Sequence, residues 1–278
     1  MAGTDWGCMA RAERDAAYNN TAAVATAAAQ REARERASAA VRAAFPTLLD
    51  LVYGPAPRQR FDLFPAAAAA APCLVFIHGG YWQMNSKDGF ACLGEGVRAH
   101  GWATAFPGYS LAPEATLSEI VAEIRAAVHW LSEAGPRYGI AGPIVVSGWS
   151  AGGHLATLTL DCPHVVAGMG ISGVYELGPL RDTYLDEKLR LSDAEIRTLS
   201  PLRLSPVPKP LAIAYGTAEL PALVANSRRL HAHRSAGHAP GPLIPVAGRN
   251  HFDILGELHK RDGILTRQLL DLLESARA

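Results

Sequence analysis

The sequence predicts an α/β fold built on a mostly parallel central sheet, with helices on both faces and an N-terminal helical extension. Three observations carry that expectation. From Cys73 onward, short apolar runs alternate with longer amphipathic ones, the pattern of strands joined by crossover helices. Glycine-rich turns follow the apolar runs near residues 79 and 148, where such sheets place their sites. The chain has 278 residues, enough for one large domain with a real core.

Taken in order, residues 1–46 carry alanines among Arg and Glu, as in Gln30–Arg36, and strong helix formers dominate. One or two helices are expected there, packing weakly because alanine buries little area. Of 50 alanines, 24 fall in the first 71 positions, so the 49% apolar content overstates the core-forming residues of this front. Residues 47–278 are read as the α/β domain. Leu49–Tyr53 and Arg60–Phe64 read as short strands around the Gly54-Pro55 turn, and Ala66–Ala71 as an exposed connection. The further strands are Cys73–Ile77, Trp102–Phe106, Ile144–Ser147, Val165–Ile171, Leu211–Tyr215 and Leu243–Val246. Helices are expected near Lys87–His100, Leu117–Ala134, Ala151–Leu160, Pro221–Ala236 and Arg261–Ser275. In the second of these, Ile120, Ile124, Val128 and Leu131 share one face. The segment 178–210 interrupts the alternation and reads as an insertion, helical around Ser192–Leu199.

Composition excludes several classes. With 26 basic and 26 acidic residues there is no electrostatic footprint for nucleic acid or an anionic membrane. No apolar stretch is long enough to span a bilayer, and residues 11–15 lack the apolar block of a signal peptide. The four cysteines are far apart and form no CxxC pair, so a reducing cytoplasm is the expected location and no metal is expected. His231, His233 and His238 do not share a helical face and lack a further ligand.

The chemistry-bearing residues follow the strands. Gly148-Trp149-Ser150-Ala151-Gly152 is G-x-S-x-G between a strand and a helix, a context that presents a serine hydroxyl on a sharp turn. His78-Gly79-Gly80-Tyr81-Trp82 follows another strand, and its paired glycines free backbone N–H groups to face an oxyanion. The N–H groups of Gly80, Tyr81 and Ala151 are the candidate oxyanion hole. His251 follows the last strand as candidate general base, and Glu219 follows Leu211–Tyr215 as candidate acid, in the chain order such hydrolases use. Asp253 is the rival acid. Tyr81, Trp82, Trp149, Tyr175 and Phe252 are candidate pocket-lining aromatics. His78 and His154 are expected to be structural.

The run His78–Gln83 with Ser86-Lys87-Asp88, the Gly148–Leu155 run, Ser172–Leu177 and His251–Ile254 together resemble the kynurenine formamidase (arylformamidase) branch of the α/β-hydrolase fold. The resemblance spans about residues 10–275, including Tyr18-Asn19. It implies a cofactor-independent Ser–acid–His hydrolase acting on N-formylkynurenine or related aryl formamides and esters. Glu219 stands where the animal enzymes resemble an aspartate pattern, and bacterial relatives with this motif set include plain carboxylesterases. The expectation is therefore a serine hydrolase cleaving a small or aromatic ester or aryl formamide through an acyl-enzyme. Its alternative is a non-catalytic ligand-binding protein of the same fold. The alanine-rich front is expected to cover the edge of the site or to meet a second subunit in a homodimer.

Overall fold

Residues 6–277 are described by the computed structural model; residues 1–5 and 278, the outer ends of the segments 1–46 and 47–278, lie outside the described residues. Eight strands form one sheet: β1 (Leu51–Val52), β2 (Arg60–Phe64), β3 (Cys73–Ile77), β4 (Ala103–Pro107), β5 (Ile144–Trp149), β6 (Val165–Ile171), β7 (Leu211–Gly216) and β8 (Leu243–Val246). Their spatial order is β1-β2-β4-β3-β5-β6-β7-β8. The β1–β2 and β2–β4 pairs are antiparallel and all the others parallel. The expected strand at Leu49–Tyr53 shrinks to two residues because β1 is an edge with only two paired positions on β2.

Both faces of the sheet are buried. In β3, Cys73, Val75 and Ile77 join one core and Leu74 and Phe76 the other, as the two-residue period of a strand requires. The helices are α1 (Arg11–Tyr18), α2 (Asn20–Ala23), α3 (Ala27–Ala44), α4 (Glu95–Arg98), α5 (Leu117–Ala134), α6 (Ala151–Leu158), α7 (Asp186–Leu189), α8 (Asp193–Leu199), α9 (Pro221–Ala236), α10 (Gly256–His259) and α11 (Ile264–Arg277). Helices α5, α6 and α9 cover the first core, and α3, α4, α10 and α11 the second. A capping box of Thr116 and Glu119 opens α5, and Ile120, Ile124, Val128 and Leu131 are all buried on its inner face. The Lys87–His100 stretch is mainly 3₁₀ over Lys87–Gly94 before one turn of α4. Ser192 and Glu195 form the capping box of α8, inside the 178–210 segment.

The N-terminal arm differs from the loose packing its composition suggests. It holds three helices, and α3 lies directly on the 87–94 turn. Small side chains let the backbones approach: Arg34 Nε donates to Gly89 O at 2.9 Å, and Cys92 N donates to the buried Ser38 Oγ at 3.3 Å. Charge fixes the register. Lys87 Nζ reaches Asp50 and Asp62 at 2.6 Å each and Asp88 at 2.8 Å. Arg42 of α3 meets the same three carboxylates, at 2.8 Å for the fully buried Asp62. The arm also reaches the 178–210 segment, where Trp6 Nε1 donates to Asp182 at 3.0 Å and Tyr184 N to Asp15 at 2.7 Å.

Candidate active site

The C-terminal ends of β3, β5, β6, β7 and β8 open on one edge of the sheet, and each delivers a polar residue there. After β5 the chain turns at Ser150, whose φ of 58° and ψ of −120° are sparsely populated for a residue with a Cβ. The turn closes tightly: a Cβ on Gly148 would lie 2.1 Å from Gly152 O, and one on Gly152 would lie 2.0 Å from Ile77 O. Glycine at both positions is thus a packing requirement of the turn. Helix α6 begins directly after the serine, and as its first residue Ala151 has an N–H without an intrahelical acceptor.

After β3, Gly80 (φ 120°), Tyr81 (φ 49°) and Trp82 (φ 57°) run consecutively through positive φ. Such a run costs roughly 1–3 kcal/mol for each non-glycine residue and persists only where surrounding contacts impose it. The contacts are visible. Asn85 Nδ2 donates to Gly79 O at 2.9 Å. The Tyr81 hydroxyl accepts from Asn20 Nδ2 at 3.0 Å and donates to Tyr18 O at 2.6 Å, so α1 and α2 hold this loop. Among the described residues, no carbonyl or side chain accepts from the N–H of Gly80 or Tyr81. His78 anchors the loop base. Its ring stacks on Tyr109 at 4.2 Å, Nδ1 lies 2.9 Å from Gly79 O, and burial drives its pKa down to about 3.

Glu219, after β7, is oriented by three donors. Gly216 N and Ser172 Oγ each reach Oε1 at 2.6 Å, and His251 Nδ1 donates to Oε2 at 2.9 Å. The carboxylate side chain is fully buried and that of His251 nearly so. Asp253 instead accepts from Asn250 N at 2.7 Å, closing the turn that carries His251. Trp149 locks the imidazole from the other side: its Nε1 donates to His251 O at 2.7 Å and its ring lies 4.9 Å from the imidazole.

Ser150 and His251 open on the same cavity, with about 100 Å³ of space, alongside Gly80, Tyr81, Trp149 and Phe252. Helices α2 and α3 close its outer wall through Asn20, Arg31 and Arg34. A cleft of about 360 Å³ adjoins it and shares Arg34 and Phe252. Another, of about 350 Å³ between α5, α6 and α9, touches none of Ser150, Glu219 and His251 and has no part in this arrangement.

Two of the five expected pocket aromatics are elsewhere. Trp82 and Tyr175 are wholly buried and do not line the cavity. The left-handed turn at Tyr81 and Trp82 swings the indole inward, edge-on to His154 at 5.0 Å. The Tyr175 ring lies over Gly170 and Gly173, where any Cβ would come within 2.2 to 2.3 Å of it. His154 Nε2 donates to Leu199 O at 2.7 Å, and burial lowers its pKa to about 4. Sequence reasoning missed Ser172, Asn20, Arg31 and Arg34. Only Ser172 carried a signal, its place directly after a central strand; the arm residues meet the site through tertiary packing.

A serine hydroxyl and an imidazole on one cavity, with a buried carboxylate bonded to the far side of the imidazole and unengaged N–H groups nearby, make a constellation suited to nucleophilic acyl transfer. Comparison with known proteins points the same way. The BD-FAE family model matches residues 62–161. The chain is 25% identical to a kynurenine formamidase of Danio rerio, over 97% of this chain and 99% of the relative. A solved structure of a Silicibacter protein described as a thioesterase is 30% identical, with a TM-score of 0.84 over 93% of this chain and 99% of the other. Esterase B of Lactobacillus rhamnosis, 21% identical, shares the fold with a TM-score of 0.70, covering 96% of each chain.

Proposed function

The chain belongs to the α/β-hydrolases, as a hydrolase resembling their arylformamidase and carboxylesterase branch, and from that premise we propose that it cleaves a small or aromatic ester or an aryl formamide through an acyl-enzyme on Ser150. The observation that carries the reading is the Glu219–His251 hydrogen bond beside a serine held at the tip of a strand–helix turn on the same cavity.

In this reading His251 takes the proton of Ser150 Oγ as the oxygen attacks the substrate carbonyl. Glu219 keeps the imidazole in the tautomer with Nδ1–H and stabilises the imidazolium that forms. The N–H groups of Gly80, Tyr81 and Ala151 receive the developing oxyanion; each such donor contributes about 10²–10³ in rate in sites of this kind. His251 then protonates the departing amine or alcohol, and a water deprotonated by the same imidazole clears the acyl or formyl group. Pockets that hold drug-sized ligands measure roughly 300–1,000 Å³. The much smaller cavity beside Ser150 favours a short acyl group, with the leaving group extending into the adjoining cleft.

The test pairs a serine-directed phosphonate probe with Ser150→Ala. Labelling at Ser150 and a fall in turnover of about 10⁴-fold or more in the variant are expected. A folded protein that takes no label would instead be a ligand-binding member of the fold. Side-by-side turnover of N-formylkynurenine and p-nitrophenyl acetate then divides the two substrate classes.

A further inference from the structure

One wall of the cavity plays no part in acyl transfer. Arg31 and Arg34 stand three residues apart on one face of α3, and both line the space beside Ser150. The two are held differently. Arg31 is half-exposed and only loosely paired, with Glu35 at 3.9 Å. Arg34 is mostly out of water, and burial lowers its pKa. Its guanidinium lies 4.1 Å over the Phe90 ring and 5.8 Å from that of Trp149. Among the described residues no carboxylate pairs with it, and its one hydrogen bond runs from Nε to Gly89 O.

That combination is costly. Withdrawing a guanidinium from water costs free energy, offset here in part by the Phe90 face beneath it and the field of nearby Glu35. Two other arginines withdrawn from water are satisfied; Arg98, 4.2 Å over Phe45, has no ion pair among the described residues and lines neither cavity. Arg42 meets three carboxylates, and Arg234, beside the cleft between α5 and α9, donates to the carbonyls of Val207, Lys209 and Pro240. Arg34, unlike Arg42 and Arg234, keeps both Nη groups unengaged among the described residues, and it stands where the cavity meets the larger adjoining cleft. The distal part of a substrate acylating Ser150 would lie at that junction. The aromatic faces of Phe90 and Trp149 fix the guanidinium plane, and a planar two-donor edge matches a carboxylate.

We propose that Arg34, supported by Arg31, binds a carboxylate carried by the substrate away from the scissile bond, so that the site prefers acidic aryl formamides or esters to neutral ones. The inference rests on the reading of Ser150 as nucleophile. It makes the arm a specificity element, since both arginines come from α3.

Matched substrates test it: 3-(3-formamidophenyl)propanoate against its primary carboxamide, and 3-(3-acetoxyphenyl)propanoate against its carboxamide. For whichever pair the enzyme turns over, kcat/KM of the carboxylate should exceed that of its twin about ten-fold or more, chiefly through KM, the ratio that a charge-assisted hydrogen bond of about 1.4 kcal/mol supplies. Arg34→Gln should bring the ratio close to one, and Arg34→Lys should retain part of it. If Arg34→Gln no longer folds, Arg31→Gln and a rise in NaCl from 0.05 to 0.5 M should each lower the ratio several-fold. A wild-type ratio of one, or Arg34→Gln slowing both twins equally with the ratio intact, would overturn the proposal in favour of a packing role. Loss of turnover in Ser150→Ala under those outcomes leaves the hydrolase reading standing; retention of turnover removes that reading itself.

Discussion

Replacing Tyr81 by phenylalanine deletes one oxygen and disconnects the arm from the loop beside Ser150. The hydroxyl accepts from Asn20 Nδ2 and donates to Tyr18 O, and all three residues are buried. Without it, one amide donor and one carbonyl are left dry. An unsatisfied buried polar group costs about 1–3 kcal/mol, so the two together should cost the variant about 2–6 kcal/mol. Relaxation of the arm brings the figure toward the lower end, still a large share of the roughly 5–15 kcal/mol that holds a domain. The same hydroxyl helps keep Tyr81 at positive φ, so its N–H should drift from the oxyanion position. Turnover should fall about ten-fold or more, bounded by the 10²–10³ of losing a whole donor. Urea unfolding followed by tryptophan fluorescence and kcat on a short ester measure the two effects. Asn20→Ala, alone and combined, closes a double-mutant cycle whose coupling should be about 1–2 kcal/mol. A Tyr81→Phe protein within about 0.5 kcal/mol of the parent and within a factor of two in kcat would refute the idea that this hydroxyl anchors the arm.

Two further outcomes follow from the same geometry. His78 and His154 are held neutral by burial, with pKa values near 3 and 4, below the ordinary histidine value. Their contribution is therefore complete above about pH 6.5 and is lost as pH falls toward those values. Each should cost about 2 kcal/mol between pH 7 and pH 5, before most carboxylates titrate, and a urea midpoint that stays flat across that window would contradict it. Gly79→Ala would place a Cβ 2.4 Å from Trp149 O and 2.9 Å from Ser150 Cβ, forcing the two loops apart. Its phosphonate labelling rate should drop about 10²-fold, whereas Gly256→Ala, with nothing within 4 Å of the new methyl, should label like the parent.

Much of the scaffold was legible because its signals are local. The buried stripe of Leu117–Ala134 and the apolar runs of the inner strands repeat with the helical and strand periods, and the structure begins and ends α5 at those residues. The serine turn was legible for a steric reason, since two glycines around Ser150 are what its closure demands. Local rules failed where backbone sign or long-range packing decides. Trp82 was expected in the pocket because it flanks a candidate catalytic loop, but two successive left-handed residues turn it and Tyr81 to opposite sides. Tyr175 looked like a loop aromatic, and glycines on β6 and just after it make room for its ring inside the protein. Arg31 and Arg34 read only as helix formers of an alanine-rich segment, because nothing in α3 encodes the surface it covers. Ser172 sat in a recognised run without a role until its hydroxyl was seen on Glu219.

A cavity walled by residues 20–34 and furnished with its imidazole by residue 251 has consequences for how the protein is made. On a ribosome adding about 5–20 residues per second, α3 precedes the His251 loop by on the order of ten seconds or more. During that interval the serine turn can form, but neither its base nor its roof is in place. With Ser150 as nucleophile and His251 as base, as proposed, hydrolytic competence arrives only once both the N-terminal helices and the loop carrying His251 are docked, and a nascent chain carries no working nucleophile to acylate wrongly. Alanine suits the waiting helix: it favours helical shape without a large greasy face that would stick to other chains in the meantime. The same logic makes an N-terminal fusion partner a more serious intrusion than a C-terminal one, because it sits beside the piece that must dock.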